Sequence, residues 1–160
     1  MTQGGKAVTS GNVLESTVEG TLQGHGYFQV GDNIPKKQRQ EDLLSAGLLS
    51  KRYARQVYVG SSIYGTDLYV DFYIVGSQPF PAGLIVECKW QQTGGSVDEK
   101  LPYVNLNIQN CYPTPAIVVI DGGGMKPGAI AWLEAQVAVN PNLVGVYPLS
   151  SFIIWANQNL

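Results

Sequence analysis

"LIVECKWQQTGGSVDEK", residues 84–100, decides how this chain is read. Its first half, Leu84 to Trp90, is strand-forming and apolar, yet it carries a carboxylate and an ammonium two positions apart, Glu87 and Lys89. A buried strand ordinarily excludes both. Alternate residues of a strand share a face. Leu84, Val86, Cys88 and Trp90 therefore point one way, and Ile85, Glu87, Lys89 and Gln91 the other. The first face is core. The second is apolar at its root and polar at its far end, as expected where a sheet opens onto a site.

The preceding stretch, "DLYVDFYIVG" (residues 67–76), has strong β propensity. Its alternation sets Leu68, Val70, Phe72 and Ile74 on one side and Tyr69, Asp71, Tyr73 and Val75 on the other. "SQPFPAG" between the two strands reads as a turn. A hairpin centred on Pro79 brings Asp71 directly opposite Glu87. Cross-strand partners have Cβ atoms about 5 Å apart, and like charges there destabilise a sheet unless something neutralises them. A hard divalent cation does so, because it prefers carboxylate oxygens. A structural cluster in which both acids pair with Lys89 accounts for the same spacing, since ion-pair networks also gather charge on a sheet face.

The rest of the chain supplies the frame. "GNVLESTVEGTLQGHGY" reads as a helix from about Asn12 to Gln23, with Asn12 capping it, Glu15 three residues on, and Leu14, Val18 and Leu22 on one stripe. A short helix is expected at 41–49 and a weakly patterned strand in "RQVYVGSSIYG". After "QQTGG", Ser96 and Glu99 form a capping-box pattern, and Leu101, Val104 and Ile108 recur at helical spacing. Pro102 should kink that helix or shift its start. "PAIVVID" reads as a buried strand, "KPGAIAWLEAQVAV" as a helix, "LVGVYPL" as a strand and "SSFIIWANQ" as a last helix. The order α-βββ-α-β-α-β, closed by that helix, predicts an α/β fold with a mixed central sheet flanked by helices on both faces. One domain over 1–160 is expected, with a basic insertion at about 34–56.

Composition bounds the function. Hydrophobic residues make up 44% and mean hydropathy is -0.01, which describes an ordinary globule and excludes a disordered or membrane class. No stretch approaches the length of a membrane span, and "MTQGGKAVTSG" has no apolar signal core, so the cytoplasm is the expected compartment. Cys88 and Cys111 match no zinc or redox spacing. A net charge of -2 argues against a bulk basic nucleic-acid binder. The charge is uneven, however. Lys36, Lys37, Arg39, Lys51, Arg52 and Arg55, against Glu41 and Asp42, make one segment +4 and leave -6 for the remainder. Such a segment either steers anions or is a solvated surface.

Taken together, Asp71 in "YVDFYIV", Glu87-Cys88-Lys89, and Glu15 on the preceding helix resemble the PD-(D/E)xK nuclease superfamily, the restriction-endonuclease-like fold, in a small stand-alone form. Gln91 resembles the glutamine that many members carry two residues after the lysine. Val70 stands where the name-giving proline would be. The resemblance implies a Mg²⁺-dependent DNA endonuclease, restriction-type or homing-type, with Mn²⁺ as a substitute and 3′-hydroxyl and 5′-phosphate products. It implies that Asp71, Glu87 and the Cys88 carbonyl hold the metal, and that Lys89, its pKa lowered, stabilises developing negative charge. Glu15 and Gln91 would assist catalysis; a capping role for Glu15 and a plain solvent-facing Gln91 are the alternatives. The six basic residues would contact the DNA backbone, and a homo-oligomer would cut both strands. The rival reading is a non-catalytic DNA-binding or structural protein on the same fold. A small phosphate-ester hydrolase would instead require a deep pocket.

Other motifs carry less. His25, the single histidine, reads as a loop residue, "DGGGMKPG" lacks phosphate-loop spacing, and Ser96 has no histidine near it in sequence. Trp90, Trp132 and Trp155 read as packing residues.

Overall fold

The computed structural model describes the backbone of residues 3–160 and the side chains of residues 12–160. The elements in chain order are α1 (Gln3–Gly24), β1 (Phe28–Gln29), a 3-10 turn (Lys36–Gln38), α2 (Arg39–Ser45), β2 (Arg52–Ser61), β3 (Asp67–Val75), β4 (Leu84–Trp90), α3 (Val97–Asn110), β5 (Ala116–Asp121), α4 (Pro127–Gln136), β6 (Leu143–Pro148) and α5 (Leu149–Asn159). The six strands form one sheet in sequence order. β2, β3 and β4 are an antiparallel meander, β4, β5 and β6 run parallel, and β1 pairs in parallel with β2. This is the expected mixed α/β sheet with a restriction-endonuclease-like core.

Two apolar layers sandwich the sheet. On one face, Leu14, Val18 and Leu22 of α1 and Phe152 and Ala156 of α5 pack on Phe72, Ile74, Leu84 and Val86. On the other, Leu43 of α2, Leu101, Val104 and Ile108 of α3 and Leu133 of α4 pack on Tyr73, Ile85 and Val118. Both parallel connections, β4-α3-β5 and β5-α4-β6, thus cross the same face. Successive crossovers of one hand in one direction must do so. Among the described residues no helix is long and apolar enough to cross a membrane.

Several local expectations are corrected. α1 starts at Gln3, so Asn12 lies inside it and cannot be its cap. Ser96 makes no side-chain cap to α3, and the helix continues past Pro102 to Asn110. Burial of Leu101, Val104 and Ile108 against the sheet outweighs a local proline cost of about 3 kcal/mol. β1 is only two residues long, too short to leave a periodic signal. Trp132 is 41% exposed, whereas Trp155 packs against Phe80, Tyr147 and Phe152.

The glycine-rich stretch after β5 is a strand-to-helix turn. Gly122 has φ +105°, and a Cβ there would run into the Gln91 carbonyl at the end of β4. Gly122→Ala should therefore destabilise the fold by at least about 2 kcal/mol, a left-handed penalty joined to a backbone clash. Chemical denaturation with a lowered midpoint and unchanged m-value is the expected readout.

Candidate active site

The β3–β4 ladder pairs Ile74 with Leu84, Tyr73 with Ile85 and Phe72 with Val86, and there it ends. This is the register of a hairpin centred on Pro79, so Asp71 and Glu87 occupy the first positions past the last rung. Asp71 takes over where backbone pairing stops. Its Oδ2 accepts the Cys88 N–H at 2.8 Å. In an extended strand the N–H and C=O of one residue point to the same side. The Cys88 carbonyl therefore faces the gap that Asp71 occupies.

The face assignment of β3 needs one correction. Val70 and Tyr73, three residues apart, pack in the same layer, as do Ala54 and Val57 opposite them on β2. Regular strands put residues three apart on opposite faces. The alternation thus slips by one across the facing pair Gln56 and Asp71. Gln56 has φ +49°, the only positive φ at a non-glycine position among the described residues. A left-handed non-glycine residue costs about 1–2 kcal/mol. Its Nε2 donates to Asp71 Oδ1 at 3.2 Å. Sequence reading missed Gln56 because nothing in "RQVY" signals a left-handed residue inside a strand.

Glu87 is 3% exposed. The Tyr112 hydroxyl donates to its Oε1 at 2.7 Å, and Lys89 Nζ stands 3.6 Å from its Oε2. Burial, with the Asp71 charge added, pushes the Glu87 carboxyl up to about 8. Burial and the Glu87 charge push the Tyr112 hydroxyl well above its usual value, so it remains a proton donor. Burial pulls the Lys89 ammonium down, but Glu87 and Asp71 together outweigh it and its pKa is raised, against the lowering expected. The Cys88 thiol is pushed well up by burial and the neighbouring carboxylates, which leaves it a poor nucleophile. Tyr112 was also missed. It follows α3 in "NCYPTP", and only the fold brings it under β4.

Glu15 reaches the cluster from α1. Burial and the nearby Asp71 charge raise its pKa, while Arg55 opposes them with an ion pair at 3.6 Å. With α1 starting upstream, Glu15 is no capping partner of Asn12. Among the described residues, no three His, Cys, Asp or Glu side chains come together as a complete metal cage. Two adjacent carboxylates beside the Cys88 carbonyl are nevertheless a donor set suited to Mg²⁺, which commonly takes one or two carboxylates and completes its shell with water and phosphate.

Gln91 does not join the cluster. It is buried, its Oε1 accepts Val97 N–H at 2.8 Å, and its Nε2 donates to Gly124 O at 3.1 Å. It caps α3 in place of Ser96 and ties that helix to the turn before α4. Asp98 in the first turn of α3 accepts Lys126 N–H at the start of α4. His25 contacts Asn157 of α5 at 3.0 Å.

Four of the six basic residues hold the fold together instead of facing outward. Arg39 donates to the carbonyls of Ile34 and Arg55, and Lys51 donates to the His25 carbonyl. Arg52 is 4% exposed and donates to Gly47 O, while Arg55 pairs with Glu15 and Glu19. Lys36 and Lys37 are exposed, resting over the rings of Tyr69 and Tyr58 at 5.7 and 4.9 Å, with Lys37 also paired to Asp67.

The raised Glu87 pKa has a sign that can be checked. The folded state keeps a proton that the unfolded chain releases near pH 4.5. This contribution to stability is complete below that pH and is lost as pH rises to about 8. In EDTA, thermal melting should fall between pH 5 and 8, and Glu87→Gln should flatten that slope. A slope unchanged in the variant would show that Glu87 is ionised throughout.

Residues 6–160, nearly the whole chain, match the family model described as the PD-(D/E)XK nuclease superfamily domain. No curated protein and no solved structure matches the chain. A family model matched over essentially the chain's whole length settles the family: the chain belongs to the PD-(D/E)XK nuclease superfamily.

Proposed function

We propose that the protein is a divalent-metal-dependent DNA endonuclease that hydrolyses phosphodiester bonds to 3′-hydroxyl and 5′-phosphate ends. The observation that carries this reading is the Asp71–Glu87 pair at the end of the β3–β4 ladder, with Lys89 3.6 Å from Glu87. Asp71, Glu87 and the Cys88 carbonyl would hold Mg²⁺ or Mn²⁺, which supplies Lewis acidity at the phosphate and makes a coordinated water easier to deprotonate.

The chain's own groups do the rest. Tyr112 fixes one Glu87 oxygen and leaves the other facing Lys89. Lys89, about a quarter exposed and kept charged by its neighbours, stabilises negative charge as it develops on the attacking and phosphoryl oxygens. Arg55 holds Glu15 beside Asp71, where the glutamate can orient water. Lys36 and Lys37, on the β2–β3 side of the site, are the candidates for DNA-backbone contacts. A homo-oligomer would place two such sites on opposite strands.

A cleft of about 710 Å³ lies beyond the β3–β4 turn, lined by Leu48, Leu49, Pro79 and Pro81; Asp71, Glu87, Lys89 and Glu15 do not border it, and of the six basic residues only Lys51 does. The carboxylates thus sit apart from the kind of pocket a small-ester hydrolase needs, which favours a large substrate.

The purified protein should nick supercoiled plasmid in Mg²⁺, not in EDTA, and Lys89→Ala should lower the rate at least about 100-fold. Metal-independent or undiminished cutting by that variant would overturn the assignment. Binding without cutting would favour the non-catalytic reading. The double variant Lys36→Ala/Lys37→Ala should weaken binding on all sequences and reduce the salt slope by about 2, read from affinities at several salt concentrations.

A further inference from the structure

We infer that Gln56 is the positioning residue for the Asp71 carboxylate, and that the left-handed backbone inside β2 serves this contact. The inference rests on the reading of Asp71 and Glu87 as the metal- and phosphate-binding pair.

Three observations converge on Gln56. Its φ of +49° lies five residues into a ten-residue strand, with regular pairing on both sides, Arg55 with Phe72 and Val57 with Val70. No turn or chain reversal calls for that conformation. Glycine adopts it without strain, and asparagine or aspartate more readily than glutamine. Second, this residue and Asp71 are the facing pair at which the side-chain alternation slips on both strands. Third, the amide reaches across the slip and donates to Asp71 Oδ1 at 3.2 Å, while Cys88 N–H from the other neighbouring strand holds Oδ2 at 2.8 Å.

Asp71 is therefore clamped from both sides, one donor on each of its oxygens. Only the donor from β2 is a side chain. Both clamping donors leave each oxygen a second lone pair for a cation. Gln56 itself need not touch substrate or metal.

The test compares Gln56→Gly with wild type. Glycine keeps the backbone conformation and removes the amide. Mn²⁺ binding by calorimetry in the absence of DNA should weaken about tenfold. The thermal midpoint in EDTA should stay level or rise by about 2–4 °C. Plasmid cleavage should lose kcat with little change in KM, and DNA affinity in EDTA should not move. Gln56→Asn, which accepts the same backbone but is one methylene shorter, should behave as Gln56→Gly does and covers the case in which the glycine variant folds poorly. Wild-type Mn²⁺ affinity in both variants would overturn the inference and leave Gln56 a packing residue. If the wild type itself takes up no Mn²⁺ and cuts no DNA, the carboxylate reading fails and this inference falls with it.

Discussion

The hydrogen bond from Cys88 N–H to Asp71 is the constraint on which the site depends. Above it, β3 and β4 satisfy each other's backbone; below it, a side chain stands in for a strand. That substitution lets the strands part without leaving an unpaired donor in the interior, where an unmet hydrogen bond costs about 1–3 kcal/mol. It also fixes the distance between two acids that would otherwise separate. The parted strands then free the β3-side edge of β4 at Cys88, between Glu87 and Lys89, while β5 continues to pair the other edge through Trp90.

The cluster so created is electrostatically unsatisfied. Three carboxylates, Glu15, Asp71 and Glu87, share one region with Lys89 and Arg55, and the Arg55 charge is divided with Glu19. Tyr112 and Gln56 contribute neutral donors that orient the acids without cancelling their charge. Purely structural ion-pair networks balance their charges, because an unpaired buried carboxylate is expensive. Here burial first, and the Asp71 charge second, keep the proton on Glu87 up to about pH 8. The two sandwiching layers carry the cost, since their apolar burial does not depend on the state of the site.

Local pattern made some of this legible and missed the rest for physical reasons. The register that sets Asp71 against Glu87 followed from the turn prolines, because a hairpin's centre determines its pairs. The succession of elements, apart from the two-residue β1, followed from periodicity. The slip at Gln56 did not, since one left-handed residue changes no hydrophobic pattern that a window can detect. Gln91 was misread for a related reason. Its spacing from Lys89 matched a site residue, but the β4–α3 loop folds back so that the amide meets Val97 and Gly124. The basic segment was overread because net charge records how many cations exist, not which are already bound to carbonyls. Arg39, Lys51 and Arg52 each satisfy a backbone oxygen.

That last point alters what the proposed nuclease must do to hold its substrate. With four of six basic side chains engaged internally, few exposed cations remain to neutralise phosphates, and each one lost flattens the salt dependence of binding. The carboxylates of the site oppose the approach of a phosphate until a further cation offsets them. Under the proposed function, DNA and divalent cation must therefore bind with mutual support: the cation offsets the carboxylates for the phosphate, and the phosphate adds oxygen donors to a pair of carboxylates that does not enclose a cation alone. By linkage each should raise the other's affinity by the same factor. A weakly basic chain can in this way be a competent nuclease, holding its substrate chiefly when the reacting centre is complete.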